Sequence, residues 1–256
     1  MGVRCCTGTG LLSLDWPVHH LGAIDSTNSE AKRRASAGDF SDGWLVAETQ
    51  SAGRGRLQRH WVSPVGNLFA TALFHEPGGM VVASRLPFAA ALAVGDVARL
   101  FAPDADIRLK WPNDVRINKA KLSGILIETG GSGAETWVAA GIGINVTHAP
   151  DGAEQSATSI ATLRGDTAVT ADMALEALRT AFSQRLIEAR AGFSGLRKAW
   201  LEHAEGLGAI VRVTASGEPI EGTFEDLDEF GALILRLPDG TRQTIRAGDV
   251  NLVGRA

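Results

Sequence analysis

Apolar and polar positions follow two different rhythms along this chain of 256 residues. Up to about residue 206, strand-like apolar runs are interleaved with helical spacings. Trp44 to Glu48 is strand-like, Asn67 to Phe74 reads as a buried strand and Thr136 to Val146 as another strand. Ser84 to Phe101 predicts an Ala/Leu-rich helix interrupted near its start by Pro87. Asp172 is the expected cap of a helix running to about Ala191, with Met173, Leu175, Leu178, Phe182 and Leu186 as its apolar stripe. Ser194 to Glu205 predicts another, carrying Leu196, Trp200 and Leu201. Near the start, His19 to Ile24 reads as a short strand, and Thr27-Asn28-Ser29-Glu30 has the form of a capping box opening a helix that ends at Gly38.

From Gly208 the pattern changes to short strands at Ile210 to Thr214, Ile220 to Leu227, Ala232 to Leu237, Arg242 to Ile245 and Val250 to Val253. Turns at Ser216-Gly217, Glu229-Phe230-Gly231 and Asp239-Gly240 separate them. That spacing predicts a small closed or nearly closed β-barrel. Three parts are therefore expected: a disordered start over residues 1–12, a large unit over 13–206 and a barrel over 207–256.

Composition narrows the class. A formal charge of −4 and 45% hydrophobic residues describe a soluble globular protein without a general nucleic-acid surface. Cys5 and Cys6 are adjacent, so neither a disulfide framework nor a metal site of usual spacing is available. No apolar run approaching the roughly 20 residues of a membrane span stands out, and no signal-peptide core appears beyond Leu11-Leu12. A cytoplasmic location is expected.

The chemistry gathers in RLKWPNDVRINKAKLSGILIE, from Arg108 to Glu128. The chain has five lysines, and Lys110, Lys119 and Lys121 fall here. Pro112 predicts that a strand from Ile107 to Lys110 ends at it. With Asn118-Lys119 as a two-residue turn, Val115 pairs with Leu122 and Ile117 with Ala120. Val115, Ile117, Ala120, Leu122 and Leu126 then share one face; Asp114, Arg116, Lys121 and Ser123 share the other. Gly124 forgoes packing, as a residue does where a ligand or another backbone comes close. An ordinary hairpin with a solvated charged face fits the same pattern.

Thr49 to Trp61 holds three arginines, Arg54, Arg56 and Arg59, with Gly53 and Gly55. It reads as a flexible cationic loop able to close on a phosphate, or as a plain mobile connector. The phosphate-loop pattern G-x-x-x-x-G-K-[ST] is absent. Ser26 and Thr27 can cap a helix, hold a polar ligand edge, or do both. Gly141-Ile142-Gly143 points locally to close sheet packing.

KWPND followed by K-L-S-G-I-L-I-E closely resembles the signature of biotin protein ligases, and the loop resembles their GRGR-x-G-R-x-W segment, with Gln58 where many members have glycine. The resemblance runs from about Ser13 onward. It implies an α+β fold, a mixed sheet with packed helices like class II aminoacyl-tRNA synthetases, followed by an SH3-like barrel. It implies ATP and biotin as substrates, with Mg²⁺, a biotinyl-adenylate intermediate, and a biotin carboxyl carrier protein or domain as acceptor. Ser26, Thr27, Asn28 and Gln50 would hold the ureido ring, with Gly53, Arg54, Arg56, Lys121 and Gly124 lining the biotin site. Arg56, Arg59, Trp61, Asn113, Lys121 and Asn145 would meet ATP, Trp61 packing on adenine. Lys121, Arg56 and Asp114 are the catalytic candidates; Asp114 would orient the incoming amine, accept its proton, fix Lys121 or sit near the metal. Ala157-Thr158-Ser159-Ile160 resembles a further family segment.

Fixed cations suit that chemistry, since a carboxylate attacking an α-phosphate brings negative charges together. A lipoate-protein ligase of the same architecture is the nearest alternative, and a non-catalytic binding module a remote one. Ten to fifteen residues before the resemblance are too few for a three-helix DNA reader, so no DNA partner is expected. A monomer and a homodimer both remain open.

Overall fold

The computed structural model describes residues 14–150, 156–214 and 218–253. The expectations for residues 1–12, which include Cys5 and Cys6, and for the Ser216-Gly217 turn lie outside them. The strands are β1 (Val18–His20), β2 (Ala23–Ile24), β3 (Gly43–Ala47), β4 (Thr49–Gln50), β5 (Leu68–His75), β6 (Ile107–Lys110), β7 (Asp114–Ile117), β8 (Ala120–Gly130), β9 (Trp137–Ile144), β10 (Ile210–Thr214), β11 (Ile220–Leu227), β12 (Leu233–Arg236), β13 (Arg242–Ile245) and β14 (Asp249–Leu252). The helices are α1 (Thr27–Ala37), α2 (Gly79–Ala83), α3 (Leu86–Phe101), α4 (Ile160–Arg164), α5 (Ala171–Ala191) and α6 (Phe193–Glu202).

A seven-stranded sheet in the order β1-β3-β5-β9-β8-β7-β6 forms the frame, antiparallel except where β1 runs with β3. One of its faces is closed by α3, α5 and α6. Helix α3 is apolar nearly all round, which a helix tolerates only inside a core, and eleven of its sixteen residues are buried. The stretch Gly79–Phe101 is long and apolar enough to cross a membrane, at mean hydropathy 1.5, yet 67% of that window is buried inside the protein. It is the core helix and its lead-in, which corrects the expectation that no run of that length exists.

The opposite face is covered only in part. Ala31 of α1 packs on Leu45, Leu73 and Ala139 of β3, β5 and β9, a small satellite core. Beyond it, above β8 and β9, the sheet is left open.

The C-terminal strands form an antiparallel sheet in the order β13-β12-β11-β10-β14. Its two edge strands are consecutive in sequence, joined by residues 246–248, and a link of so few residues spans at most about 14 Å, so the sheet must curl. This is the small curled sheet that the turn spacing predicts, and it fits the SH3-like barrel that the resemblance implies. Its core, with Val211, Phe224 and Leu235, is continuous with that of the large sheet. Trp111 Nε1 donates to Gly231 O at 3.0 Å, and a methyl group at Gly231 would lie 2.2 Å from the Phe88 ring.

Local expectations shift in five places. Ser26, not Thr27, is the N-cap of α1, its hydroxyl accepting from Ser29 N–H. Thr170, not Asp172, caps α5, and Met173 is 48% exposed outside the stripe, whose other four members are buried. Pro87 lies in the first turn of α3, where its missing N–H is harmless. His19 to Ile24 divides into β1 and β2. Asn118 and Lys119 do form the turn, both at positive φ, and Ile117 pairs with Ala120. Val115, however, pairs with Ser123, because a β-bulge at Leu122 shifts the register. The backbone of Lys121 bonds instead to Ser156 O and Thr158 N–H, a long-range contact with no local signal. After the bulge Ile125 packs in the core and Leu126 turns to the open face, opposite to the side expected for it.

Candidate functional site

The open face above β8 and β9 carries a cavity of about 520 Å³. Its floor is glycine by necessity. Gly124 and Gly143 are directly paired across the strands, and the indole of Trp61 lies over both. A methyl group would sit 2.7 Å from Trp61 Cε2 at Gly143 and 2.9 Å from Cζ3 at Gly124. At Gly141 it would lie 2.0 Å from Asn28 Oδ1. The Gly-x-Gly of β9 thus seats an amide and a ring, which is closer packing than backbone on backbone.

The polar end of the cavity is organised by α1. Thr27 N–H donates to Gln50 Oε1 at 2.9 Å, and Gln50 Nε2 donates to Ser63 Oγ at 3.1 Å. Asn28 Nδ2 donates to Glu128 Oε2 at 2.9 Å, and Arg54 forks onto both oxygens of Glu128. Gly53 alone of the expected residues does not line the cavity. It lies beneath, where a methyl would be 2.6 Å from Trp61 O and 2.7 Å from Ser63 Oγ.

The cationic end lies seven residues back along β8, about 23 Å at the rise of a strand, before long side chains reach inward. Lys121 Nζ is 2.8 Å from Asp114 Oδ1 and 5.4 Å from the Trp61 ring centroid. Burial pulls the Arg56 guanidinium below the usual arginine range, opposed by Asp249 and Asp114. Arg56 donates to Gly248 O at 3.3 Å, and Arg59 forks onto Asp249. The C-terminal sheet therefore holds the arginine loop through β14. The loop is folded: residues Arg56–Gln58 form a 3₁₀ turn, with Leu57 and Gln58 at positive φ. At φ 58°, Gln58 occupies a conformation that favours glycine.

Two expected residues line the cavity with their amides already engaged. Asn145, 2% exposed, donates to Thr158 O at 3.1 Å and Lys121 O at 3.4 Å. Asn113 donates to Ile125 O at 2.8 Å.

Residues 22–145 match the Biotin/lipoate A/B protein ligase family, and residues 206–253 match the biotin protein ligase C terminal domain. Over 237 residues the chain is 41% identical to the biotin--[acetyl-CoA-carboxylase] ligase of Paracoccus denitrificans, covering 90% of this chain and 98% of that one. The chain belongs to the biotin protein ligase family.

The Mycobacterium tuberculosis biotin--[acetyl-CoA-carboxylase] ligase is 36% identical, across 88% of this chain and 85% of that protein. Among solved structures, the Aquifex aeolicus biotin protein ligase in complex with biotin and ATP superposes with a TM-score of 0.76 at 26% identity, covering 93% of this chain and 98% of that one.

Sequence reasoning missed several residues that line or support this family's site here. Lys110, 8% exposed, lines the cavity and donates to Asn251 Oδ1 at 3.1 Å; burial and then the Arg116 charge push its pKa down. Its place in KWPND was a usable signal. Glu128, the last residue of the signature, was another. Asp249 and Val250 come from the C-terminal sheet, and Ser63 and Thr71 support the polar end from behind; none of these four had a signal.

Proposed function

We propose that this chain is an ATP-dependent biotin protein ligase acting on a biotin carboxyl carrier domain. One cavity with an amide-and-hydroxyl end at Thr27 and Gln50 and a cationic end at Arg56 and Lys121 carries the reading. The biotin carboxylate attacks the α-phosphate of ATP, the bond to the pyrophosphate breaks, and biotinyl-5′-AMP and pyrophosphate result. A carrier lysine amine then attacks the acyl carbon, AMP leaves, and an amide forms with loss of a proton.

Arg56 and Lys121 offset the charge that develops on the phosphate, and in a partly dry cavity they do so more strongly than in water. Asp114 holds the Lys121 ammonium in position, and once substrate charge engages Lys121 the same carboxylate is available to take the proton of the incoming amine. Trp61 offers a flat surface to adenine. Mg²⁺ belongs with ATP as substrate: among the described residues no group of three or more His, Cys, Asp or Glu is placed to hold a metal, and Mg²⁺ is commonly carried by phosphates with few protein ligands.

Incubation of the chain with a biotin-carboxyl-carrier domain, biotin, ATP and Mg²⁺ should add one biotin mass to the carrier, read by mass spectrometry. A parallel sample with lipoate and a lipoyl carrier should stay unmodified. Modification only in the lipoate sample would transfer the protein to the sister activity.

A further inference from the structure

Behind the polar end runs a chain of hydrogen bonds whose direction is forced from a charged origin. The Glu128 carboxylate can only accept, so Asn28 must turn its NH₂ toward it, at 2.9 Å, and toward Leu126 O at 3.2 Å. Asn28 Oδ1 then faces Thr71 Oγ1 at 2.7 Å. Thr71, fully buried on β5, lies 2.8 Å from Thr27 Oγ1 as well and has one proton for the two contacts. An amide oxygen cannot donate, so that proton goes to Asn28 and the Thr27 hydroxyl donates to Thr71. The Thr27 lone pairs are left for the cavity. A second chain sets a further acceptor beside Thr27. Ser63 donates to Trp61 O at 2.9 Å, so it accepts from Gln50 Nε2, and Gln50 Oε1 is held toward Thr27, accepting from its N–H at 2.9 Å and lying 3.2 Å from its hydroxyl, farther than Thr71 at 2.8 Å.

We propose that Glu128 and Thr71 are positioning residues which fix Thr27 as a hydrogen-bond acceptor, so that the site selects ligands presenting an N–H there. Neither lines the cavity; both act through Asn28 and Thr27, and Glu128 also holds Arg54. The inference rests on the biotin reading, in which that N–H belongs to the ureido ring. It extends the reading by placing selectivity in residues outside the cavity wall.

The test is calorimetric titration of the full chain with biotin and with the two cyclic carbamates in which one or the other ureido N–H is replaced by oxygen. The wild type should reject the carbamate facing Thr27 by about a hundredfold or more, since a ring oxygen there meets lone pairs. Thr71→Val keeps the side-chain shape but removes the nearer acceptor for Thr27, so its proton turns to Gln50 Oε1, 3.2 Å away on the cavity wall, and the direction of its lone pairs changes. The preference for biotin over that carbamate should fall by about tenfold, ATP affinity should stay within about twofold, and Thr71→Ser should restore the preference. Glu128→Gln should lower it too, because a carboxamide no longer dictates the Asn28 orientation; it carries the test if Thr71→Val fails to bind ATP and so fails to fold. An unchanged preference in folded Thr71→Val, or in Glu128→Gln, overturns the relay while leaving biotin binding intact. A wild type that binds no biotin overturns the functional reading and the relay together.

Discussion

Gly141→Ala places a methyl group 2.0 Å from Asn28 Oδ1 and 2.7 Å from its Cγ, well inside any real carbon–oxygen contact. Asn28 is buried at the start of α1, 4% exposed. The amide must leave its three partners, Glu128, Leu126 O and Thr71. At about 1 kcal/mol for each net hydrogen bond, the loss is about 3 kcal/mol, against a gain of about 0.5 kcal/mol from removing a glycine. Asn28→Ala alone loses the same three bonds and about the same stability, and it clears the space that the new methyl needs. The double variant should therefore be no worse than either single one, with a coupling of about 3 kcal/mol. Urea unfolding of the four proteins measures it. Additive losses near 6 kcal/mol, or a Gly141→Ala protein within about 0.5 kcal/mol of wild type, would refute the claim that Gly141 exists to seat Asn28.

Lys121→Ala should slow biotinyl-adenylate formation by about 10²–10³ while biotin affinity changes only a few fold, which pyrophosphate exchange and calorimetry separate; equal losses would remove its transition-state role. Asp249→Asn weakens the hold of β14 on Arg59, so trypsin should cut after Arg56 or Arg59 faster than in wild type, while stability falls by less than about 1 kcal/mol because the pair is partly exposed. Asp25 is held at about 2, below its ordinary 3.8, mainly by the Arg33 hydrogen bonds and then by Ser26 N–H. Its contribution is thus complete above about 3.8 and disappears as pH falls toward 2. Asp25→Asn should unfold at lower urea than wild type at pH 7, with the gap closing below pH 4; a gap that persists or widens in acid would contradict this.

The sequence alone determined whatever is written in consecutive residues. Hydrophobic rhythm located the core helix, the long strands and the change to a small curled sheet, because periodicity records which face is buried. The two dense segments, Gln50 to Trp61 and Lys110 to Glu128, named most of the cavity, because a site that must hold fixed cations beside a nucleotide concentrates unusual residues. Tertiary structure decided the rest. The bulge at Leu122 lies beside the point where residues 156–158 bind the Lys121 backbone, and after it Leu126 faces the cavity and not the core. Asp249 reaches Arg59 across 190 positions, and Thr71 reaches Asn28 across 43. Such contacts leave no trace in local pattern, because a threonine inside an apolar strand or an aspartate at a strand end looks ordinary until the fold supplies its partner. Gly141 and Gly143 show the division most clearly: their spacing pointed to close packing, and only the folded chain could say that an asparagine and a tryptophan fill the space.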